Sequence, residues 1–202
     1  MTAPRRLTPN ELRLWINKLS SAMSPAAMSA VCEEITDIAG DYVLTQPGTQ
    51  FWRDAFIGAK FAEAQGYSLI RLCANDRPDI DVGRDGVWEE LEITEADDPD
   101  RKRSKEYEDR RGLNESTFSD PEGAWLTRRR AMPTALRRCV AKKMALPYSP
   151  DCALLIYLNL STYGCWEAEI LQDIQTECQP ALRHFSQVWV LWNGSVVPVI
   201  KS

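Results

Sequence analysis

The stretch "RPDIDVGRDGVWEELEITEADD", residues 77–98, decides the fold. Asp85-Gly86 stands between two runs of alternating residues, a strong short-range signal for a hairpin turn. It predicts one strand before the turn and another after it. In the second strand, alternation gathers Glu90, Glu92 and Thr94 on one face and turns Leu91 and Ile93 to the other. Asp79 and Asp81 lie on the partner strand. Carboxylates this close repel when ionised and dry, so water, basic neighbours or a divalent cation must relieve them.

Working outward, the chain before the hairpin reads as helical. In "LTPNELRLWINKL", residues 7–19, Thr8 is an N-cap, Pro9 the first helical residue and Glu11 the third-position partner of the cap. Ser24-Pro25 opens a second helix, which Gly40 ends. "FWRDAFIGAKFAEAQGY", residues 51–67, is a third, closed by Gly66. At 100° per residue, Phe51, Trp52, Ala55, Phe56, Gly58, Ala59 and Ala62 form its apolar arc, and Arg53, Asp54 and Lys60 lie outside it. Glu63 falls within the arc, where a carboxylate needs a partner, a metal or a pocket edge, unless, one turn from the helix end, it reaches solvent.

Beyond the hairpin, residues 100–112 read as a polar, basic helix. Residues 124–146 form a second basic helix, interrupted or restarted near Pro133. "DCALLIYLNL", residues 151–160, is an apolar run of strand length. Residues 165–185 form a helix ended or kinked at Pro180. "QVWVLW" and "SVVPVI" make a last hairpin through Asn193-Gly194. Three consecutive strands followed by a crossover helix predict an α/β fold, a central mixed β-sheet flanked by helices. Residues 1–50 are expected as a helical extension packed on an α/β domain of residues 51–202, one compact domain in all.

The 202 residues are 44% hydrophobic and 26% charged, with seven tryptophans, the balance of a globular protein with a real core. No apolar run reaches the ~20 residues needed to span a bilayer, and no secretory signal is visible, so a cytoplasmic location with no membrane partner is expected. Six cysteines without a C-x-x-C pair, and a single histidine, His184, argue against zinc and for free thiols. His184 reads as a capping or surface residue rather than a triad base, and no glycine-rich phosphate loop is present. The tryptophans other than Trp125 read as packing residues.

The net charge of −5 hides an asymmetry: residues 101–143 hold 13 Lys/Arg against 6 Asp/Glu, and the remainder 11 against 23. A basic segment in an acidic chain suggests a surface for phosphates, although solvated helices with paired charges read equally well. Arg101, Lys102, Arg103 and Lys105 stud the first basic helix. Arg128, Arg129, Arg130, Arg137, Arg138, Lys142 and Lys143 recur along the second. Tyr107 and Trp125 lie among them, where they could stack on exposed bases, although Trp125 reads equally well as a core anchor for its helix.

The order helix-strand-strand-strand-helix-strand, with Pro78-Asp79 opening the second strand and Glu92-Ile93-Thr94 on the third, resembles the PD-(D/E)XK nuclease superfamily over roughly residues 51–160. The resemblance implies a restriction-endonuclease-like αβββαβ core. It matches Glu63 to the family's helix carboxylate, Asp79 to the aspartate of its "PD" pair and Glu92 to the acidic member of its third motif. Thr94 stands where that family usually has lysine. Read two residues earlier, Glu90-Leu91-Glu92 puts Glu92 in the lysine position, and Lys102 or Lys105 are alternative sources of the missing cation. The resemblance implies a metal-dependent nuclease, acting on nucleic acid, DNA first, through Mg²⁺ or Mn²⁺. Asp79 and Glu92 would hold the ion with Glu90 at hand, Glu63 would assist, and Thr94 would sit beside the site. A catalytically inactive member of the fold, binding nucleic acid or a protein partner in regulation or phage–host interference, is the alternative. An acidic face that mimics nucleic acid and docks a basic protein is a third reading.

Overall fold

The computed structural model describes residues 3–73, 77–97 and 123–201. Its helices are α1 (Pro9–Leu19), α2 (Pro25–Ala39), α3 (Tyr42–Thr45), α4 (Gln50–Ala64), α5 (Ala124–Met144) and α6 (Glu167–Cys178), with a 3₁₀ turn over Gln179–Arg183. Its strands are β1 (Leu69–Leu72), β2 (Ile80–Arg84), β3 (Val87–Ala96), β4 (Ala153–Leu158), β5 (Val188–Trp192) and β6 (Ser195–Pro198). They are hydrogen-bonded in the order β1-β2-β3-β4-β5-β6. Pairs β1–β2, β2–β3 and β5–β6 are antiparallel and β4–β5 is parallel, which makes an α/β fold with a mixed sheet. No described helix is long and apolar enough to cross a membrane.

The described chain divides into two compact units, one ending at Ile93 and the other beginning at Thr94. The first contains α1–α4 together with β1, β2 and the greater part of β3. The predicted caps are present: Thr8 Oγ1 accepts from the Glu11 N–H while Glu11 Oε2 accepts from the Thr8 N–H, and Ser24 Oγ accepts from the Ala27 N–H. Asp85 and Gly86 both have positive φ, 53° and 82°, as a two-residue type I′ turn needs, and Arg84 pairs with Val87 on either side. Ile70, Leu72, Ile80, Val82, Leu91 and Ile93 are buried on one face of these strands. Helix α4 packs against that face through its small residues, with Gly58 against Ile80 and Ile70.

The second unit holds the end of β3, α5, β4, α6, β5 and β6. Its core includes Met132, Leu136, Leu154, Ile156, Ile170, Ile174 and Val190. Helix α6 is the crossover between the parallel strands β4 and β5, and Asn193-Gly194, with φ of 48° and 78°, turns β5 into β6. Three expectations need correction here. Helix α5 is not interrupted at Pro133 but runs through it. The missing N–H leaves one helical carbonyl unbonded, at about 3 kcal/mol, and burial of Met132, Ala135, Leu136, Cys139 and Val140 along one face offsets it. Trp166 is not a packing residue, being 76% exposed. The short α3 was not expected at all. The helix expected over residues 100–112 lies outside the described residues.

Candidate functional site

The acidic face anticipated from the hairpin exists, and the register defines it. Asp81 pairs with Glu90 and Gly83 with Trp88. One step beyond Ile80↔Leu91, the same register sets Asp79 opposite Glu92. The Ile93 N–H donates to Asp79 Oδ2 at 2.7 Å, tying the aspartate to β3. On the other side Arg71 pairs with Asp81, and the Cys73 N–H donates to the Asp79 carbonyl at 3.0 Å. Residues opposite one another in antiparallel strands share a face. The face therefore has a row Cys73, Asp79, Glu92, beside a row Arg71, Asp81, Glu90, beside a row Leu69, Gly83, Trp88.

Four carboxylates thus share one side of three strands with the guanidinium of Arg71. Arg71 Nε donates to Asp81 Oδ2 at 2.8 Å, and its guanidinium lies 4.6 Å from the Trp88 ring centroid. Trp88 lies over Gly83, where a Cβ would meet its ring at 3.2 Å. Asp81 is therefore held in an ion pair with Arg71. Glu90 is half-buried, and Glu92 is buried at 2% exposure. Burial, together with the charge of Asp81 and a hydrogen bond to it, pushes the Cys73 thiol up to about 12. Arg71 and Cys73 were missed in the sequence. Strand alternation through "LIRLC" was the signal that could have put both beside the acids.

One residue expected at the site lies elsewhere. Glu63 is not on the core-facing stripe of α4; it is exposed. The buried carboxylate of that helix is Asp54, at 8% exposure, paired with Arg53 at 3.0 Å. Thr94, two residues beyond Glu92 and on the same side of β3, is buried at 8%.

The basic residues of α5 fall into two sets. Arg129 is held by Glu169 at 3.0 Å and by Asp173, and Arg137 by Glu177 at 2.7 Å, so both are tied to α6. Arg128 donates to the Tyr163 carbonyl at 2.9 Å, and Lys143 is half-buried. Arg130, Arg138 and Lys142 are exposed on one row of the helix with Thr134, four residues apart at each step. Arg138 makes one described contact, to the Asp97 carbonyl at 3.2 Å. Arg101, Lys102, Arg103, Lys105 and Tyr107 lie outside the described residues.

Among the described residues no group of three or more His, Cys, Asp and Glu forms a metal-binding cluster. The pair Asp79 and Glu92 nonetheless has the donor chemistry of a hard-cation site. Mg²⁺ commonly takes one or two carboxylates and fills its shell with water and substrate phosphate oxygens. Compared with known proteins, the chain matches no family model, no curated protein and no solved structure.

Proposed function

We propose that this chain is a divergent metal-dependent nuclease of the PD-(D/E)XK type, hydrolysing phosphodiester bonds of nucleic acid, DNA first. The observation that carries the reading is the register that sets Asp79 opposite Glu92 on a face shared with Asp81 and Glu90. The helix-strand-strand-strand order of α4, β1, β2 and β3, and the later helix α5 and strand β4, agree with the nuclease core. Asp79 and Glu92 would hold Mg²⁺ or Mn²⁺, and Glu90 would adjust the charge of the site. A bound ion supplies Lewis-acid stabilisation of charge on a phosphodiester and makes water acidic enough to attack it. The chain's own part is to fix the carboxylates: the Ile93 N–H orients Asp79, and Arg71 keeps Asp81 from repelling it. The exposed row Arg130, Arg138 and Lys142 would contact phosphates without reading sequence.

The test is cleavage of supercoiled, linear, branched and single-stranded substrates with Mg²⁺ and with Mn²⁺. Glu92→Ala is expected to abolish cleavage while leaving the far-UV circular dichroism unchanged. An unmodified chain that cuts none of them with either ion would sink the enzyme. The second reading, a catalytically inactive module of the same fold that binds nucleic acid or protein, is favoured by Thr94. It offers a buried hydroxyl where the nuclease motif carries a cation. Binding without cleavage would select it.

A further inference from the structure

The second unit carries a cluster of exposed aromatic rings for which the carboxylate site has no use. Tyr163 is 75% exposed, Trp166 76% and Trp125 39%. They are brought together by the loop that joins β4 to α6. Gly164, at φ +80°, lets that loop lie against Trp125, where a Cβ would stand 3.1 Å from the Trp125 Cβ. The Cys165 thiol reaches the Trp125 carbonyl at 3.8 Å, and Arg128 holds the Tyr163 carbonyl. Beside Tyr163 opens a cavity of about 490 Å³, lined also by Ser161, Thr162, Glu167, Trp192 and Asn193. Thr162 Oγ1 accepts from both Trp192 Nε1 and Asn193 Nδ2 at 3.2 Å, which fixes the cavity floor.

The chemistry of this surface selects its occupant. Exposed, anchored rings supply stacking faces, and the hydroxyl, amide and carboxylate groups beside them match the hydrogen-bonding edges of an unpaired base. Glu169 is occupied by Arg129, which leaves Glu167 as an acceptor for a base N–H, such as the ring N3–H of an unpaired thymine. Cations stand on the adjoining helix, with Arg130 exposed near its start and Arg138 and Lys142 farther along the same row. Paired bases in a duplex would not present their faces to such rings.

We propose that Trp125, Tyr163 and Trp166 form a base-stacking platform, and that the nucleic acid held by this unit is single-stranded. The inference rests on the nucleic-acid part of the proposed function and is independent of metal or cleavage.

The experiment is fluorescence anisotropy with the full chain in EDTA. The probe is a labelled oligothymidylate of about twenty nucleotides, longer than a single-module site. The control is a duplex of equal length. The single strand is expected to bind more tightly than the duplex. Combined Tyr163→Ala and Trp166→Ala should weaken it at least about five-fold, since stacking is sensitive to alanine substitution, with the slope against log salt unchanged. Tyr163→Phe, which keeps the ring, should bind as the unmodified chain does. Equal affinity for the duplex, undiminished binding by the double variant, or no oligonucleotide binding at all would each overturn the proposal. The last result would point to a protein occupant. Loss of cleavage with binding intact would sink the enzyme alone.

Discussion

Gly58 on α4 and Ile80 on β2 interlock so closely that a methyl group at position 58 would stand 1.9 Å from the Ile80 Cδ1. Gly58→Ala would drive the helix off the sheet or force Ile80 from its rotamer. We expect a loss of about 1–3 kcal/mol, the usual scale of overpacking, read as a lower urea midpoint. Asp79 adjoins Ile80, so weaker Mn²⁺ binding by electron paramagnetic resonance should accompany it.

The arginines of α5 should divide by function. Arg130→Gln, Arg138→Gln and Lys142→Gln are each expected to lower the salt slope of nucleic-acid binding by about one, the signature of a lost phosphate contact. Arg129→Gln and Arg137→Gln should leave that slope unchanged, because acids of α6 already hold both side chains. Binding isotherms over a salt series decide this.

Stability should divide the same two arginines differently. Arg129 is only 23% exposed and contacts two acids, and Arg129→Ala should cost about 1–3 kcal/mol, the range for hydrogen bonds to charged groups. Arg137 is 66% exposed, and Arg137→Ala should move the denaturation midpoint much less. Chemical denaturation of both variants measures the difference.

Glu11 gives a pH signature. Its hydrogen bonds from Arg5, with those from the backbone and hydroxyl of Thr8, hold the carboxyl down at about 2. A depressed folded-state value means that this contribution is complete above the ordinary glutamate range. It is lost as pH falls through about 2. The Glu11 side-chain carbon resonance should titrate near that value, and Arg5→Ala should move its midpoint upward.

Cys73 should resist alkylation. Burial first, and then the charge and hydrogen bond of Asp81, keep it protonated at pH 8, so iodoacetamide should label it slowly. Asp81→Asn removes the charge and should speed labelling, followed by peptide mass spectrometry.

The parts legible in the sequence were those set by local chemistry. Thr8, Ser24, Asp85-Gly86 and Asn193-Gly194 each specify a cap or turn within a few residues, and all four act as expected. The face of α4 was harder. Trp52 and Phe56 drew the apolar arc toward themselves, yet both are only half-buried and stack on each other at 5.2 Å. Gly58 meets the sheet, and the buried side of the helix takes in Phe51, Asp54, Ala55, Ile57, Ala59, Phe61 and Ala62. That rotation buries Asp54 beside Arg53 and exposes Glu63. The pairing of Asp79 with Glu92 was a wager on register, which the two-residue turn fixes. Neighbours from outside the hairpin, Arg71 above all, depend on how β1 aligns: alternation within "LIRLC" puts Arg71 and Cys73 on one side of β1 but does not set which acids they meet. Pro133 misled for a similar reason: its local preference is outweighed by the long-range contacts of the helix that contains it.

The brevity of the Asp85-Gly86 connection makes it a parity device. Side chains on a strand alternate strictly, so inserting a single amino acid there while β2 keeps its place would turn β3 over relative to its partner. Glu90 and Glu92 would then be thrust among the aliphatic groups under α4, with Leu91 and Ile93 left in their stead. An insertion of two would restore the sidedness but slide the acids out of step with Asp79. That connection should tolerate an added or removed residue poorly.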